Sequence, residues 1–176
     1  NNPSLQHLDS HTYSPIVNLH IWYDRIIEDF EFVAFVGSPV QWVFNRTRIA
    51  NLHGPGQYIT VSLSGAWQYW SMSKSDLEKR FVDELRILFP ESRNARVLRF
   101  IVVKERQATF RIPPGLKAPR PAAQTEIPNL FLAGDWTDTG WPATMEGAVR
   151  SGNTVAEAVH QSFMKHQDQE PTDVRH

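Results

Sequence analysis

The segment from Pro128 to Gly152 constrains the fold and the site of this chain more than any other part of the sequence. It begins with an apolar run, Leu130 to Ala133, which has the length and composition of a short buried strand. Gly134-Asp135 closes this run, and a helical pattern begins at Thr144. The first turn of a helix carries unpaired N–H groups and the positive end of the helix dipole. The segment therefore predicts a site for a polar cofactor.

Spacing alone leaves two interpretations of this segment open. In the first, Asp135 accepts hydrogen bonds from ribityl or ribose hydroxyls, and the N–H groups from Thr144 to Glu146 face an electron-rich oxygen or phosphate. In the second, the segment is an ordinary turn in which Asp135 caps and Thr144 is the N-cap. Gly147 and Gly152 each cost roughly 1 kcal/mol relative to alanine inside a helix. Each glycine therefore needs a packing reason, either close contact with a strand or close approach of a ligand.

The composition excludes several classes of protein. The 18 basic and 19 acidic residues give a net charge of −1, so no global field recruits nucleic acid. The sequence has no cysteine, which excludes disulfides and thiol chemistry, and the spacing of its seven histidines does not predict a metal site. No apolar run reaches the roughly 18 to 20 residues of a membrane span, and we expect a cytoplasmic protein.

Hydrophobic periodicity predicts strands, one amphipathic helix, more strands and then a strand-to-helix unit. The predicted strands cover 15–23, 32–36, 40–46, 57–64, 97–104, 108–112 and 130–133, with a hairpin over 32–46. Ser75-Asp76-Leu77-Glu78 predicts a capping box, and the helix after it ends at Pro90. The segment from Ile112 through Pro128 contains five prolines, which predict an extended loop. This order indicates an α+β fold with an antiparallel or mixed sheet.

Aromatic side chains are frequent on or near the predicted strands. They are Trp22, Phe35, Trp42, Phe44, Tyr58, Trp67, Tyr69 and Trp70. Such rings form the core in most sheets, but a sheet that carries so many of them also suits a tunnel for a long hydrocarbon. His20 lies on the more polar face of its strand, either as a structural histidine or as part of a pocket.

Two motifs resemble the carboxy-terminal flavin-binding signature of the amine oxidase and phytoene desaturase superfamily. They are Ala133-Gly134-Asp135-Trp136-Thr137 and Met145-Glu146-Gly147-Ala148-Val149-x-Ser151-Gly152. Further segments are similar to the squalene-associated branch of this superfamily, the hydroxysqualene dehydroxylases. These segments are Ser14-Pro15-Ile16-Val17, Gln41-Trp42-Val43-Phe44-Asn45-Arg46, Lys104-Glu105-Arg106-x-Ala108-Thr109-Phe110, Arg120-Pro121 and the run from Gly134 to Thr144. The resemblance spans roughly residues 14 to 160.

The resemblance implies FAD as the cofactor and a set of residues that contact it. These residues are Gly134, Asp135, Trp136, Trp141, Thr144, Met145 and Glu146. No protein acid or base is assigned, so the catalytic residues stay unknown. The implied substrate is an apolar isoprenoid: the reduced flavin delivers a hydride as an allylic hydroxyl leaves hydroxysqualene, giving squalene. The alternatives are carotenoid desaturation and a protoporphyrinogen oxidase or amine oxidase type of reaction.

The resemblance also implies a division of the chain. Residues 1–14 would be a linker or a peripheral segment, 15–127 a part of the substrate domain, 128–163 the last strand and helix of a Rossmann-like FAD-binding domain, and 164–176 a disordered tail. An apolar substrate makes peripheral membrane contact an expectation, although no basic amphipathic helix stands out.

Two departures from the family pattern bear on function. No Gly-x-Gly-x-x-Gly follows a strand in this sequence, so we expect the chain to be a fragment whose partner is the missing amino-terminal half of the same enzyme. By itself the chain is then expected to be inactive, as a module that binds a lipid or a partner chain. Amine oxidases also place a tyrosine directly before Met-Glu-Gly as part of an aromatic cage. This chain has Thr144 there, which argues against an amine substrate.

Overall fold

A computed structural model describes residues 12–111 and 120–167 of the chain. The elements within these ranges are the strands β1 (Thr12–Tyr23), β2 (Phe32–Ala34), β3 (Trp42–Asn45), β4 (Gln57–Ser64) and β5 (Val97–Arg111), and the helices α1 (Arg46–Ile49), α2 (Lys74–Leu88) and α3 (Met145–Gln167). Two short 3-10 turns, Trp67–Tyr69 and Pro90–Asn94, flank α2. The predicted α+β class is confirmed.

The chain forms two compact units, which we describe separately. One is Tyr13–Thr109, and the described residues of the other are Thr12, 110–111 and 120–167. The division between the units falls at residues 109 and 110. The functional boundary predicted between residues 127 and 128 stays a prediction.

The five strands form one sheet in the order β2-β3-β4-β1-β5. The pairs β1–β4, β3–β4 and β2–β3 are antiparallel, and the predicted hairpin over 32–46 is the β2–β3 pair. The sequence predicted two strands at 97–104 and 108–112, but the backbone runs as one strand, β5, through Arg111. Arg46 was predicted in a strand and instead begins α1, because Asn45 caps a helical turn by accepting from the Arg48 N–H.

The core of the first unit lies between α2 and one face of the sheet. Alternate residues of β1 and β4 are fully buried, because successive side chains of a strand point to opposite faces. The buried positions are Val17, Leu19, Ile21 and Tyr23 on β1, Ile59, Val61 and Leu63 on β4, and Leu77, Phe81, Val82 and Leu85 on α2. Burial raises the pKa of Tyr23 to about 12. Its hydroxyl has no hydrogen-bond partner among the described residues.

The start of α2 differs from the prediction by two residues. The predicted capping box at Ser75 is wrong, because Ser73 is the N-cap and its Oγ accepts from the Asp76 N–H at 3.1 Å. The Ser73 hydroxyl also donates to the Asp76 carboxylate at 2.6 Å. Both spacings place a serine and an acidic residue three positions apart, so the sequence signal did not distinguish them.

The second unit contains the segment on which the functional expectations depend. The predicted strand 130–133 is reduced to a single bridge between Gln124 and Phe131. The predicted helix is present as α3, which begins at Met145 and continues to Gln167, into the tail predicted from residue 164. Residues 112–119 of the predicted proline-rich loop lie outside the described residues, as do the predicted linker up to residue 11 and the end of the tail.

Candidate functional site

A tight turn follows the Phe131 bridge, and its geometry depends on Gly134. The Thr137 N–H and Thr137 Oγ1 both donate to the Gly134 carbonyl, at 3.1 and 2.7 Å, and Thr137 is buried. Gly134 has a φ of +144°, a conformation open almost only to glycine. A Cβ at this position would also overlap the indole of Trp136. The turn therefore holds Asp135 and Trp136 in one arrangement.

Ser151 joins this turn to α3. Its buried hydroxyl accepts from the Gly134 N–H at 2.8 Å and donates to the Ala148 carbonyl at 2.7 Å. The Ser151 hydroxyl thus accepts one hydrogen bond from the turn and donates another to the helix. This contact places the turn of Asp135 next to the first two turns of α3.

Replacing Ser151 with alanine is expected to destabilise the protein by about 1–3 kcal/mol, because the half-buried Gly134 N–H would lose its acceptor. Urea unfolding followed by circular dichroism measures the loss, and hydrogen exchange at the Gly134 amide locates it. Thr154→Ala is the matched control, because the Thr154 hydroxyl only bonds back to the Arg150 carbonyl on the exposed side of the same helix. We expect the control to change stability by less than about 0.5 kcal/mol. Equal losses in both variants would show that the Ser151 contact does not hold the turn.

Thr144 caps the amino end of α3. Its Oγ1 accepts from the Gly147 N–H at 3.2 Å, and its carbonyl accepts from the Ala148 N–H at 3.0 Å. The N–H groups of Met145 and Glu146 have no hydrogen-bond partner among the described residues. A 23-residue helix therefore presents two backbone donors, together with the positive end of its dipole, at this point.

The two glycines of α3 differ in their surroundings. A Cβ at Gly147 would lie 2.7 Å from the Pro142 carbonyl oxygen, so the packing reason for this glycine is the loop before the helix. A Cβ at Gly152 would meet nothing within 4 Å. Gly147 therefore has a packing reason in a loop, where a strand or a ligand was expected, and Gly152 has no packing reason among the described residues.

Arg150 connects two of the predicted cofactor residues through their side chains. Its guanidinium lies 4.4 Å from the centre of the Trp141 ring, and its Nε donates to the Glu146 carboxylate at 2.8 Å. Arg120 donates to the Trp141 carbonyl and lies over the Phe110 ring. The guanidinium of Arg120 therefore has a backbone partner in the loop before α3.

The predicted cofactor residues thus fall into two groups of one unit. Gly134, Asp135 and Trp136 form the turn, whereas Trp141, Thr144, Met145 and Glu146 surround the start of α3. Ser151 and Arg150 were not predicted as site residues, although Ser151 is part of the motif Met145-Glu146-Gly147-Ala148-Val149-x-Ser151-Gly152. A serine six positions after a helix start was the one signal that could have identified it.

The free donors and acceptors of these groups fit a flavin. The Met145 and Glu146 N–H groups suit an electron-rich carbonyl edge, and the half-buried Asp135 carboxylate, which has no hydrogen-bond partner among the described residues, suits hydroxyl groups. Met145 keeps 89% of its surface exposed, so its side chain does not block the helix end. Contact between these residues and the cofactor stays a prediction.

A second feature lies in the unit Tyr13–Thr109, on the side of the sheet opposite α2. We call it the aromatic face, and its rings are Trp22, Phe32, Trp42, Phe44 and Tyr58. Trp22 stacks on Tyr58 with ring centres 4.2 Å apart, and Trp42 stacks on Phe44 at 6.1 Å. Phe32 and Trp42 keep 58% and 42% of their surface exposed. By contrast, Tyr69 packs against Phe81 in the core.

A polar pair lies among these rings. His20 Nδ1 is 2.7 Å from Tyr58 Oη and 3.3 Å from Thr60 Oγ1. Partial burial, with the positive charge of Arg46 as the smaller cause, lowers the pKa of His20 below its ordinary value. The ring is therefore mainly neutral at pH 7.

No group of three or more histidine, aspartate or glutamate side chains in the described ranges is arranged to hold a metal ion. None of the described helices is both long and apolar enough to cross a membrane.

The sequences of two relatives are similar to this chain over most of its length. The 15-cis-phytoene desaturase of Narcissus pseudonarcissus is 29% identical over 170 residues, which cover 92% of this chain and 30% of that protein. The hydroxysqualene dehydroxylase of Rhodopseudomonas palustris is 35% identical over 150 residues, which cover 84% of this chain and 32% of that protein. The chain thus spans about a third of the length of these relatives.

A solved structure and a family sequence profile also match this chain. The crystal structure of a protoporphyrinogen oxidase-like protein from Exiguobacterium sp. 255-15 superposes with a TM-score of 0.63 over 89% of this chain and 37% of that one. The two sequences are 12% identical, so the comparison shows a shared fold. The profile of the family described as flavin containing amine oxidoreductase matches residues 2–160. This family contains a flavin, which agrees with the FAD predicted from the sequence. The chain belongs to the flavin containing amine oxidoreductase family.

Proposed function

We propose that the protein is an FAD-dependent oxidoreductase that acts on an apolar isoprenoid and converts hydroxysqualene to squalene. The observation that carries this proposal is the aromatic face, a broad apolar surface on a sheet of a flavin-family chain. The greater identity to the hydroxysqualene dehydroxylase, 35% against 29% for the Narcissus desaturase, supports this branch. Thr144 in place of an aromatic cage residue supports an apolar substrate over an amine.

In this proposal the turn and the helix start bind the flavin. The N–H groups of Met145 and Glu146 donate to an electron-rich edge of the cofactor, and Asp135 accepts from its hydroxyl groups. Thr144 and Gly147 shape the helix start. Trp136 and Trp141 wall the site, with Trp141 held by Arg150. The bound flavin supplies the hydride chemistry, whereas the protein binds and orients the reactants and excludes water.

The test uses the protein purified from its own gene. We expect a yellow protein that binds FAD and that, supplied anaerobically with chemically reduced FAD, converts hydroxysqualene to squalene. Mass spectrometry of the extracted lipids measures the product. A colourless protein that does not quench flavin fluorescence on titration with FAD would contradict the flavin part of the proposal. Hydroxysqualene left unchanged by a flavin-loaded protein would contradict the substrate.

Two aspartate variants in the same loop test the assigned cofactor contact. Asp135→Asn removes the negative charge of the carboxylate that would accept hydrogen bonds from the flavin. We expect FAD affinity to fall roughly tenfold or more, since hydrogen bonds to charged groups contribute about 1.5–3 kcal/mol. Asp138→Asn is the control, because the Asp138 carboxylate lies on the exposed side of the loop and contacts only the Gly140 N–H. Equal FAD affinities in the two variants would show that Asp135 does not contact the cofactor.

Desaturation of phytoene is the second candidate function. The Narcissus phytoene desaturase aligns over 170 residues, against 150 for the hydroxysqualene dehydroxylase, which favours this alternative. Phytoene is a hydrocarbon, so the two candidates differ in whether the substrate carries a hydroxyl group. Separate incubations with phytoene and hydroxysqualene therefore distinguish them. The predicted amino-terminal partner half, the peripheral membrane contact and the cytoplasmic location stay predictions.

A further inference from the structure

We propose that the aromatic face binds an isoprenoid alcohol and that His20 and Tyr58 hold its hydroxyl group. This inference rests on the proposed function and identifies the residues that would recognise the hydroxyl group of its substrate. It assigns a role in recognition to two residues outside the flavin-binding segment.

The geometry of the polar pair leaves hydrogen-bonding capacity for a ligand. Tyr58 Oη is 2.7 Å from His20 Nδ1, so either the phenol donates to Nδ1, with the ring proton on Nε2, or Nδ1–H donates to the phenol oxygen. Nε2 has no hydrogen-bond partner among the described residues. In the first arrangement the pair offers Nε2–H as a donor and Tyr58 Oη as an acceptor, and in the second it offers Nε2 as an acceptor and the Tyr58 O–H as a donor. An alcohol oxygen can use either contact, because a hydroxyl group both donates and accepts.

The pair is suited to an uncharged ligand. The lowered pKa of His20 keeps the ring mainly neutral at pH 7, and Tyr58 is a phenol. The guanidinium of Arg99 lies 5.3 Å from the centre of the Trp22 ring, where it is engaged with the ring face. A neutral donor and a neutral acceptor match an alcohol better than they match a carboxylate.

Apolar rings lie beside the pair, together with the Thr60 hydroxyl and the positive charge of Arg46. Trp22 stacks on Tyr58, and Phe44 lies opposite Thr60 on the neighbouring strand. A cavity of about 180 Å³ opens beside the stack. Its lining includes Trp22 and Tyr58, apolar residues such as Leu52 and Leu98, and polar residues such as Thr47 and His53. A hydrocarbon chain can lie on the rings and in this cavity while its hydroxyl group meets His20 and Tyr58. A ligand without a hydroxyl group would cover the polar pair and leave its donor unpaired, which disfavours binding.

The experiment measures the binding of farnesol and of farnesene, a hydrocarbon with the same skeleton, to the protein. Tryptophan fluorescence measures the dissociation constants, and NMR of the His20 ring nitrogens measures the contact itself. We expect farnesol to bind roughly tenfold more tightly than farnesene and to shift the Nε2 signal. Tyr58→Phe keeps the ring stack and the backbone bond to Thr47 but removes the hydroxyl. We expect it to reduce farnesol affinity roughly tenfold and to leave farnesene affinity unchanged.

Tyr13→Phe is the matched control, because Tyr13 is an exposed phenol on the same unit, outside the aromatic face. Equal affinity for the alcohol and the hydrocarbon, no binding of either, or tighter binding of farnesoic acid than of farnesol would overturn the proposal. An unchanged alcohol preference in Tyr58→Phe would overturn it as well. Failure of the proposed function is distinguishable: hydroxysqualene would stay unconverted while the binding of farnesol still depended on Tyr58.

Discussion

Replacing Gly134 with alanine is expected to destabilise the second unit by about 2–6 kcal/mol, the sum of two effects. The backbone there has a φ of +144°, and a side chain in that region costs about 1–3 kcal/mol. The new Cβ would also overlap the Trp136 indole, and overpacking of this kind typically costs about 1–3 kcal/mol. Urea unfolding followed by circular dichroism measures the loss. If Asp135 contacts the flavin, FAD affinity falls with it, because the turn that holds Asp135 is lost.

Gly140→Ala separates the two effects. Gly140 lies in the same loop and has a φ of +65°, but a Cβ there would meet nothing within 4 Å. Its replacement is therefore expected to cost only the strain of a left-handed residue, about 1–2 kcal/mol. A loss at Gly134 no greater than the loss at Gly140 would mean that the Trp136 ring moves aside freely. In that case the ring does not fix the turn.

Phe81→Ala is expected to reduce the stability of the first unit by about 3–5 kcal/mol. Phe81 is fully buried on α2 and meets Tyr69 edge to face, with ring centres 5.2 Å apart. Its removal leaves a cavity between the helix and the sheet. Tryptophan fluorescence in urea reports the loss, since Trp22 and Trp42 belong to the same unit.

Ile87→Ala on the same helix is the control. Ile87 keeps 67% of its surface exposed, and alanine has a slightly better helix propensity than isoleucine. We expect a change within about 0.5 kcal/mol. If both variants lost the same stability, the helix would be sensitive to any truncation, and the assignment of Phe81 to a tightly packed core would be wrong.

The elements with a strong period were predictable from the sequence. β1 and β4 alternate apolar and polar residues over eight or more positions, and α2 repeats its apolar residues at helical spacing, so their buried faces follow directly. The predicted strand 130–133 was not a strand beyond one bridge, because a short apolar run becomes a strand only where a neighbouring backbone pairs with it. The N-cap of α2 was misplaced because serines at positions 73 and 75 each precede an acidic residue by three positions.

The site also combines features that the local sequence predicts with contacts that it does not predict. The motif around Gly134 and the helix start at Thr144 were identified from the sequence, because glycine, acidic and capping residues have local roles. The contacts that hold these residues in place were not identified from the sequence. Ser151 bonds to Gly134, 17 positions away, and Arg150 packs on the ring of Trp141 in the loop before α3. The pairing of His20 with Tyr58 depends on the register between β1 and β4, which joins residues 38 positions apart.

The sequence by itself determined the fold class, the alternating faces of the long strands, the start of the last helix and the family, because each of these depends on local pattern or on motif. Only the tertiary structure decided which rings form one aromatic face, which histidine meets which phenol and which serine satisfies the turn of Gly134. These contacts join residues far apart in the chain. They form because buried donors need acceptors and because strand register brings particular side chains together.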